Sequence, residues 1–154
     1  MPNGWKLELD SEKIIKFLKE RGIKVTPQRI AIAKAITHLN HPTAEEICKY
    51  LEKSHPYIGL ATVYRTIKLF AKQGIVRELS FSNKGTRYDI NVKPHINLVC
   101  VNCGQIKDID SIELESLIKD FMDNGYQVIG FRFEIDIYCE SCRARRRRHR
   151  NRVV

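Results

Sequence analysis

The chain has 154 residues, with 27 Lys and Arg against 18 Asp and Glu, for a formal charge of +9. At 43% hydrophobic and 29% charged residues it can bury a core, and it is not globally disordered. That length fits one large domain or two small ones. No apolar run approaches the roughly 18 residues of a membrane helix, which excludes an apolar span. The start, MPNGWKLELD, lacks the apolar stretch of a secretory signal, so a cytoplasmic location is expected.

The charge is unevenly spread. Residues 1–86 carry 15 basic and 8 acidic side chains, residues 87–142 carry 5 and 10, and residues 143–154 carry seven Arg and no acid. A basic head, an acidic middle and a basic tail suggest modules with different partners. The tail, RARRRRHRNRVV, has no apolar period and repels itself, so it is expected to be disordered. It reads either as a solubilising end or as an arm for nucleic-acid phosphates.

In the head, residues 11–22 read as a helix with Ile14, Phe17 and Leu18 on one face, closed by Gly22. Thr26-Pro27 restarts a helix: a hydroxyl at the N-cap, then Pro at the first helical position. Its stripe is Ile30, Ala33 and Ile36. Thr43 and Glu46 have capping-box spacing, ahead of Ala44, Ile47, Cys48 and Leu51 at i, i+3, i+4, i+7. A fourth helix over 60–73 has Leu60, Val63, Ile67 and Phe70 as its core stripe. Thr62, Arg65, Lys68 and Lys72 lie on its polar side with Tyr64 beside them. IVRELSF, SNKG and TRYDI then read as two strands around a turn. Short helices followed by a hairpin is the order of a winged helix-turn-helix, whose later helix enters the major groove.

In the middle, His95 to Val101 and Gln105 to Ile109 read as strands. Residues 111–123 read as a helix with Leu114, Leu117, Ile118 and Phe121 on one face, and 126–138 as a long strand. This is a thin core, and small folds of that size need a staple. Cys100, Cys103, Cys139 and Cys142 supply one, as two CxxC pairs separated by 35 residues. Four thiolates suit a structural, tetrahedral Zn²⁺ with no open position, and the pairs are expected to clamp the small domain at both ends. A redox pair is the rival reading. Cys48 falls on an apolar stripe and is expected to be buried. His41, Asp89, His95 and Asp108 are further candidate metal ligands, and strand alternation puts His95 and Asn97 on one face.

TPQR (26–29), HPTAEEI (41–47), ATVYRT (61–66), RYDI (87–90), the 95–104 segment and the final CESC resemble the ferric uptake regulator family, in the family's order over about residues 10–142. The resemblance implies an α+β chain: a winged-helix DNA-binding domain over 1–86 and a small α/β metal-binding dimerisation domain over 87–142. It implies a dimeric, metal-dependent transcriptional repressor, not an enzyme, acting on a palindromic, A/T-rich operator in double-stranded DNA. Tyr64 would meet base edges, Arg65 backbone or base, and Arg29 phosphate, with Thr62 and Lys68 on the same DNA-binding surface. The regulatory metal, Fe²⁺ or Mn²⁺, would take His41, Asp89, His95, Asn97 and Asp108. The family usually has a second His where this chain has Asn97, a weaker ligand for such ions. A further family histidine has no counterpart in 128–135, VIGFRFEI, so a third site is not expected. Asp108, where metal-uptake members often have Glu, resembles the peroxide-sensing branch. In that branch Fe²⁺ and peroxide oxidise a ligand histidine, here His41 or His95. The alternatives are a regulator of iron, manganese or zinc uptake, or a constitutive zinc-stabilised DNA-binding protein.

Overall fold

In the computed structural model the chain divides into two units, Met1–Val92 and Lys93–Val154. The structure describes residues 10–81, 85–90, 94–129 and 131–150, the last four by backbone alone. The division falls beyond the charge break expected at residue 86 and leaves Asp89 in the first unit. The reason is register: Asp89 pairs with Arg77 across the hairpin that began in the basic head.

The first unit has four helices, α1 (Ser11–Glu20), α2 (Pro27–Leu39), α3 (Ala44–Leu51) and α4 (Leu60–Lys72), then strands β1 (Arg77–Phe81) and β2 (Gly85–Asp89). The local signals act as expected. Thr26 accepts from the Arg29 amide at 3.3 Å with Pro27 beginning α2. Thr43 and Glu46 close a full capping box at 3.2 and 2.8 Å. Each cap contributes about 1 kcal/mol by satisfying amides that a helix start leaves open. Helix α2 is more deeply buried than its expected stripe: Ala31, Ile32, Ala33, Ala35 and Ile36 are buried, while Ile30 is only half-buried. It packs against α1, α3 and α4 together, so one stripe cannot serve all its neighbours. Leu60 departs from the expected core: it begins α4 and is 38% exposed, whereas Val63, Ile67 and Phe70 are buried. Cys48 is half-buried, its thiol directed at the Ile58 carbonyl.

The hairpin pairs antiparallel from Arg77↔Asp89 to Phe81↔Gly85. Residues 82–84 of its expected turn lie outside the described residues. A hairpin after the helical core completes a winged helix-turn-helix.

The second unit holds β3 (His95–Cys100), β4 (Ile106–Asp110), α5 (Ile112–Asp123), β5 (Glu134–Ile137) and α6 (Glu140–Arg150). The sheet order is β4-β3-β5, antiparallel between β3 and β4 and parallel between β3 and β5. The strand expected over 126–138 is therefore shorter than its alternation implies. It pairs with β3 only along Asn97–Cys100. Helix α5 has the expected extent but no buried residue; Ile112 is 83%, Leu117 44% and Phe121 49% exposed. The expected disordered tail also differs. Residues 140–150 are helical, starting where the Arg143 amide donates to the Cys139 carbonyl at 2.9 Å. Arginine is a good helix former, so the second CxxC can open a helix that the tail continues. The last four tail residues, 151–154, lie outside the described residues. No helix among the described residues is long and apolar enough to cross a membrane.

Candidate metal centres and nucleic-acid interface

The parallel pairing of β3 with β5 carries both CxxC segments to the same end of the sheet, rather than to opposite ends of the unit. Cys100 ends β3, Cys139 follows β5, and the Val101 amide donates to the Ile137 carbonyl at 3.0 Å between them. Gly104, at φ +74°, turns the first knuckle, and its amide donates to the Cys100 carbonyl at 2.8 Å. All four sulfurs lie within 4.8 Å of one another, and Cys103 Sγ to Cys139 Sγ is 3.7 Å. A tetrahedral zinc with bonds of about 2.3 Å requires sulfur–sulfur edges of about 3.8 Å.

The donor chemistry fits as well. The Cys139 amide donates to Cys100 Sγ at 3.3 Å, and Asn102 Nδ2 donates to Cys142 Sγ at 3.2 Å. Burial pushes the Cys100 thiol up, but amides of Cys139, Cys103 and Asn102 outweigh it and bring the pKa down to about 6. A hydrogen bond from the Ser141 hydroxyl, then the Cys142 amide, lowers Cys139. At Cys103 the Gln105 amide lowers the pKa, yet burial and the three neighbouring cysteines win and push it up to about 11. Sulfurs gathered this closely resist ionising together unless a cation sits among them. Four thiolates with amide donors are thus a structural zinc site, with no position left for a reacting water.

The regulatory candidates fall into two groups, one in each unit. In the first, His41 Nε2 lies 3.9 Å from Asp89 Oδ1, and both residues are buried. Asn40 and His41 take consecutive positive φ angles, 58° and 56°. Non-glycine residues rarely occupy this region, and holding each there costs about 1–3 kcal/mol. Two contacts hold the turn: Arg87 Nη1 donates to the His41 carbonyl at 2.8 Å, and the Tyr88 amide donates to the Pro42 carbonyl at 2.9 Å. The same Arg87 nitrogen reaches Glu46 Oε2 at 3.3 Å, the oxygen that caps α3. Arg77 Nη2 stands 4.0 Å from the other Asp89 oxygen.

In the second unit, β3 turns His95 and Asn97 to one face, and register sets Asp108 of β4 opposite Asn97. His95 Nε2 is 4.0 Å from Asp108 Oδ1. Asn97 is 4% exposed, and its Oδ1 is buried without a hydrogen-bond partner among the described residues. An unsatisfied buried carbonyl oxygen is costly, and a cation would satisfy it.

On α4, Tyr64, Arg65 and Lys68 are exposed along one face, and Thr62 is half-buried at its edge. Tyr64 is not free on that face: its hydroxyl donates to Glu45 Oε1 of α3 at 2.8 Å. Arg29 is half-buried and donates from Nη1 to the Lys24 carbonyl at 2.5 Å, so it braces the turn into α2. Glu45, Arg87 and Asn102 carry roles that the sequence reading did not assign. Only Arg87 had a signal, since alternation puts it on the face of β2 that carries Asp89.

A winged helix-turn-helix joined to a unit with a four-thiolate zinc site and a His/Asp/Asn cluster defines a metal-dependent DNA-binding transcription regulator. The model of the ferric uptake regulator family matches residues 20–136. The chain belongs to that family. The peroxide-responsive repressor PerR of Staphylococcus aureus is 36% identical over 140 residues, covering 88% of this chain and 93% of its own. The structure of the Campylobacter jejuni peroxide stress regulator superposes with a TM-score of 0.64 at 29% identity, over 85% of this chain and 97% of that one. The ferric uptake regulator of Pseudomonas aeruginosa with manganese gives 0.68 at 25% identity, over 82% and 97%.

Proposed function

We propose that the protein is a peroxide-responsive repressor whose operator binding depends on Fe²⁺ or Mn²⁺ held by His41, Asp89, His95, Asn97 and Asp108. The observation that carries this reading is the Asp108 carboxylate beside His95, in a chain 36% identical to a peroxide-responsive repressor. Two imidazoles, two carboxylates and an amide oxygen make a site for a borderline divalent ion. A bound Fe²⁺ would supply the one-electron chemistry that activates peroxide. The chain's part is to hold His41 and His95 as the oxidisable groups and to couple them to α4. His41 lies one residue before Pro42 and the capped start of α3, and α3 packs on α4. Metal can shift the arrangement of the DNA-binding unit only through its different affinity for the bound and free arrangements.

The reading includes a homodimer on a palindromic operator. The apolar face of α5, with Leu117 and Phe121 exposed and Leu114 and Ile118 only half-buried, supports it, since such a patch marks an interface. Mass spectrometry after Fe²⁺ and peroxide tests the sensing role. One oxygen gained on the peptide of His41 or His95, with loss of operator binding, is the expected result. Metal-dependent binding with no oxidised histidine would instead favour control of metal uptake, the reading that likeness to the Pseudomonas regulator supports.

A further inference from the structure

Helix α6 carries the densest charge in the chain. Residues 143–154 hold seven arginines and no acidic residue. Within the helix, Arg143, Arg146, Arg147 and Arg150 recur at i, i+3, i+4 and i+7, the spacing of one helical face. Arg143, Arg145 and Arg146 are exposed.

The root of the helix is fixed. Cys142 is buried in its first turn, with Asn102 Nδ2 donating to its sulfur at 3.2 Å. The Arg146 guanidinium lies 4.2 Å over the Tyr138 ring, which ties the second turn back to the chain before the knuckle. Beyond the root, like charges four residues apart repel along the helix, and a helix this short does not persist alone in water. The arginine helix is therefore anchored at its first two turns, and its arginines repel one another along its length. A row of guanidinium forks over two turns matches a ligand with closely spaced anionic oxygens, and duplex phosphates have that character.

We propose that α6 is a second, sequence-independent DNA contact: an arginine helix anchored on the cysteine knuckle that docks on the phosphate backbone of duplex DNA. The proposal rests on the reading above only in taking DNA as the partner, since base reading by α4 is a separate matter. It makes total affinity the product of a selective head and an unselective arm.

The test uses the zinc-loaded full chain and a variant with Arg143, Arg145, Arg146, Arg147, Arg148 and Arg150 all changed to Gln. Gln keeps helix propensity and removes charge. Binding to a short mixed-sequence DNA duplex is measured against salt. Each lost phosphate contact flattens the log–log slope by about 0.9, so the variant should be flatter by about 3–5 and bind at least about tenfold more weakly at low salt. An unchanged slope overturns the proposal. A measurement on the wild type stands independent of the variant: amides of residues 140–150 should gain hydrogen-exchange protection when duplex is added, and no gain overturns it. Tighter arginine-dependent binding to single-stranded RNA or polyglutamate than to duplex of equal charge also overturns it, by pointing to another partner. Failure of the proposed function looks different: operator preference would ignore metal while the salt slope still followed the arginines.

Discussion

The Tyr64 hydroxyl donates to Glu45 Oε1 at 2.8 Å, bridging the helix expected to read bases and the helix packed behind it. The bond raises the Tyr64 pKa and lowers that of Glu45, because it stabilises the neutral phenol against the carboxylate. The tyrosine thus stays a neutral donor, and the carboxylate lies beside the face of α4 expected to meet DNA.

Glu45→Gln keeps an acceptor for the phenol and removes the charge. Tyr64 should titrate nearer its ordinary value by ultraviolet absorbance, and duplex affinity at low salt should rise a few-fold. By linkage, the lowered folded-state pKa of Glu45 contributes stability above its unfolded value and loses it as pH falls through the folded one. Melting temperature in the variant should therefore fall less between neutral and acid pH than in the parent.

Arg87 would act on the proposed regulatory site through His41 rather than by ligating. Its Nη1 holds the carbonyl of a residue at φ 56° and also reaches the α3 cap. Arg87→Met keeps length but no donors and should weaken Mn²⁺ binding by about 10–100-fold, the range for lost outer partners of a metal ligand. Arg87→Lys should recover part of it in an indicator titration, which a merely packing role would not produce.

In the proposed site Asn97 would offer an amide oxygen where a histidine would offer a more tightly binding nitrogen. Asn97→His should bind Zn²⁺ and Mn²⁺ at least about tenfold more tightly. Asn97→Leu should lose affinity relative to the parent if the orphaned Oδ1 is a ligand; equal affinity for both variants and parent would remove Asn97 from the site.

The thiolate site predicts one tightly held zinc per chain. Cys142→Ser removes a ligand at the root of α6 and should abolish retained zinc in elemental analysis. Structural zinc contributes about 10–16 kcal/mol of apparent binding energy in small domains, so the second unit should unfold. The first unit has its own buried cluster from Ile14 to Tyr88 and should keep its helical signal.

The apolar face of α5 makes the oligomeric state a direct measurement. Phe121→Asp places a charge where a ring is half exposed in the single chain. Sedimentation should show a monomer at concentrations where the parent is a dimer, with zinc content unchanged.

Local features were legible in the sequence because their causes are local. The Thr26-Pro27 start, the Thr43/Glu46 box and the Val63-Ile67-Phe70 stripe each follow from groups within one or two turns. The four cysteines suited a structural zinc by type and spacing, with a redox pair as the rival, and the fold gathers their sulfurs within 4.8 Å of one another. The tertiary structure decided what depends on distant pairing. Parallel β3 and β5 set both knuckles at one end of the sheet, hairpin register carried Asp89 to His41, and packing of α3 on α4 gave Tyr64 its carboxylate. No period or cap encodes such meetings, because they are fixed by which strands and helices find one another, and that choice is made by the energy of the whole core rather than by any segment in it.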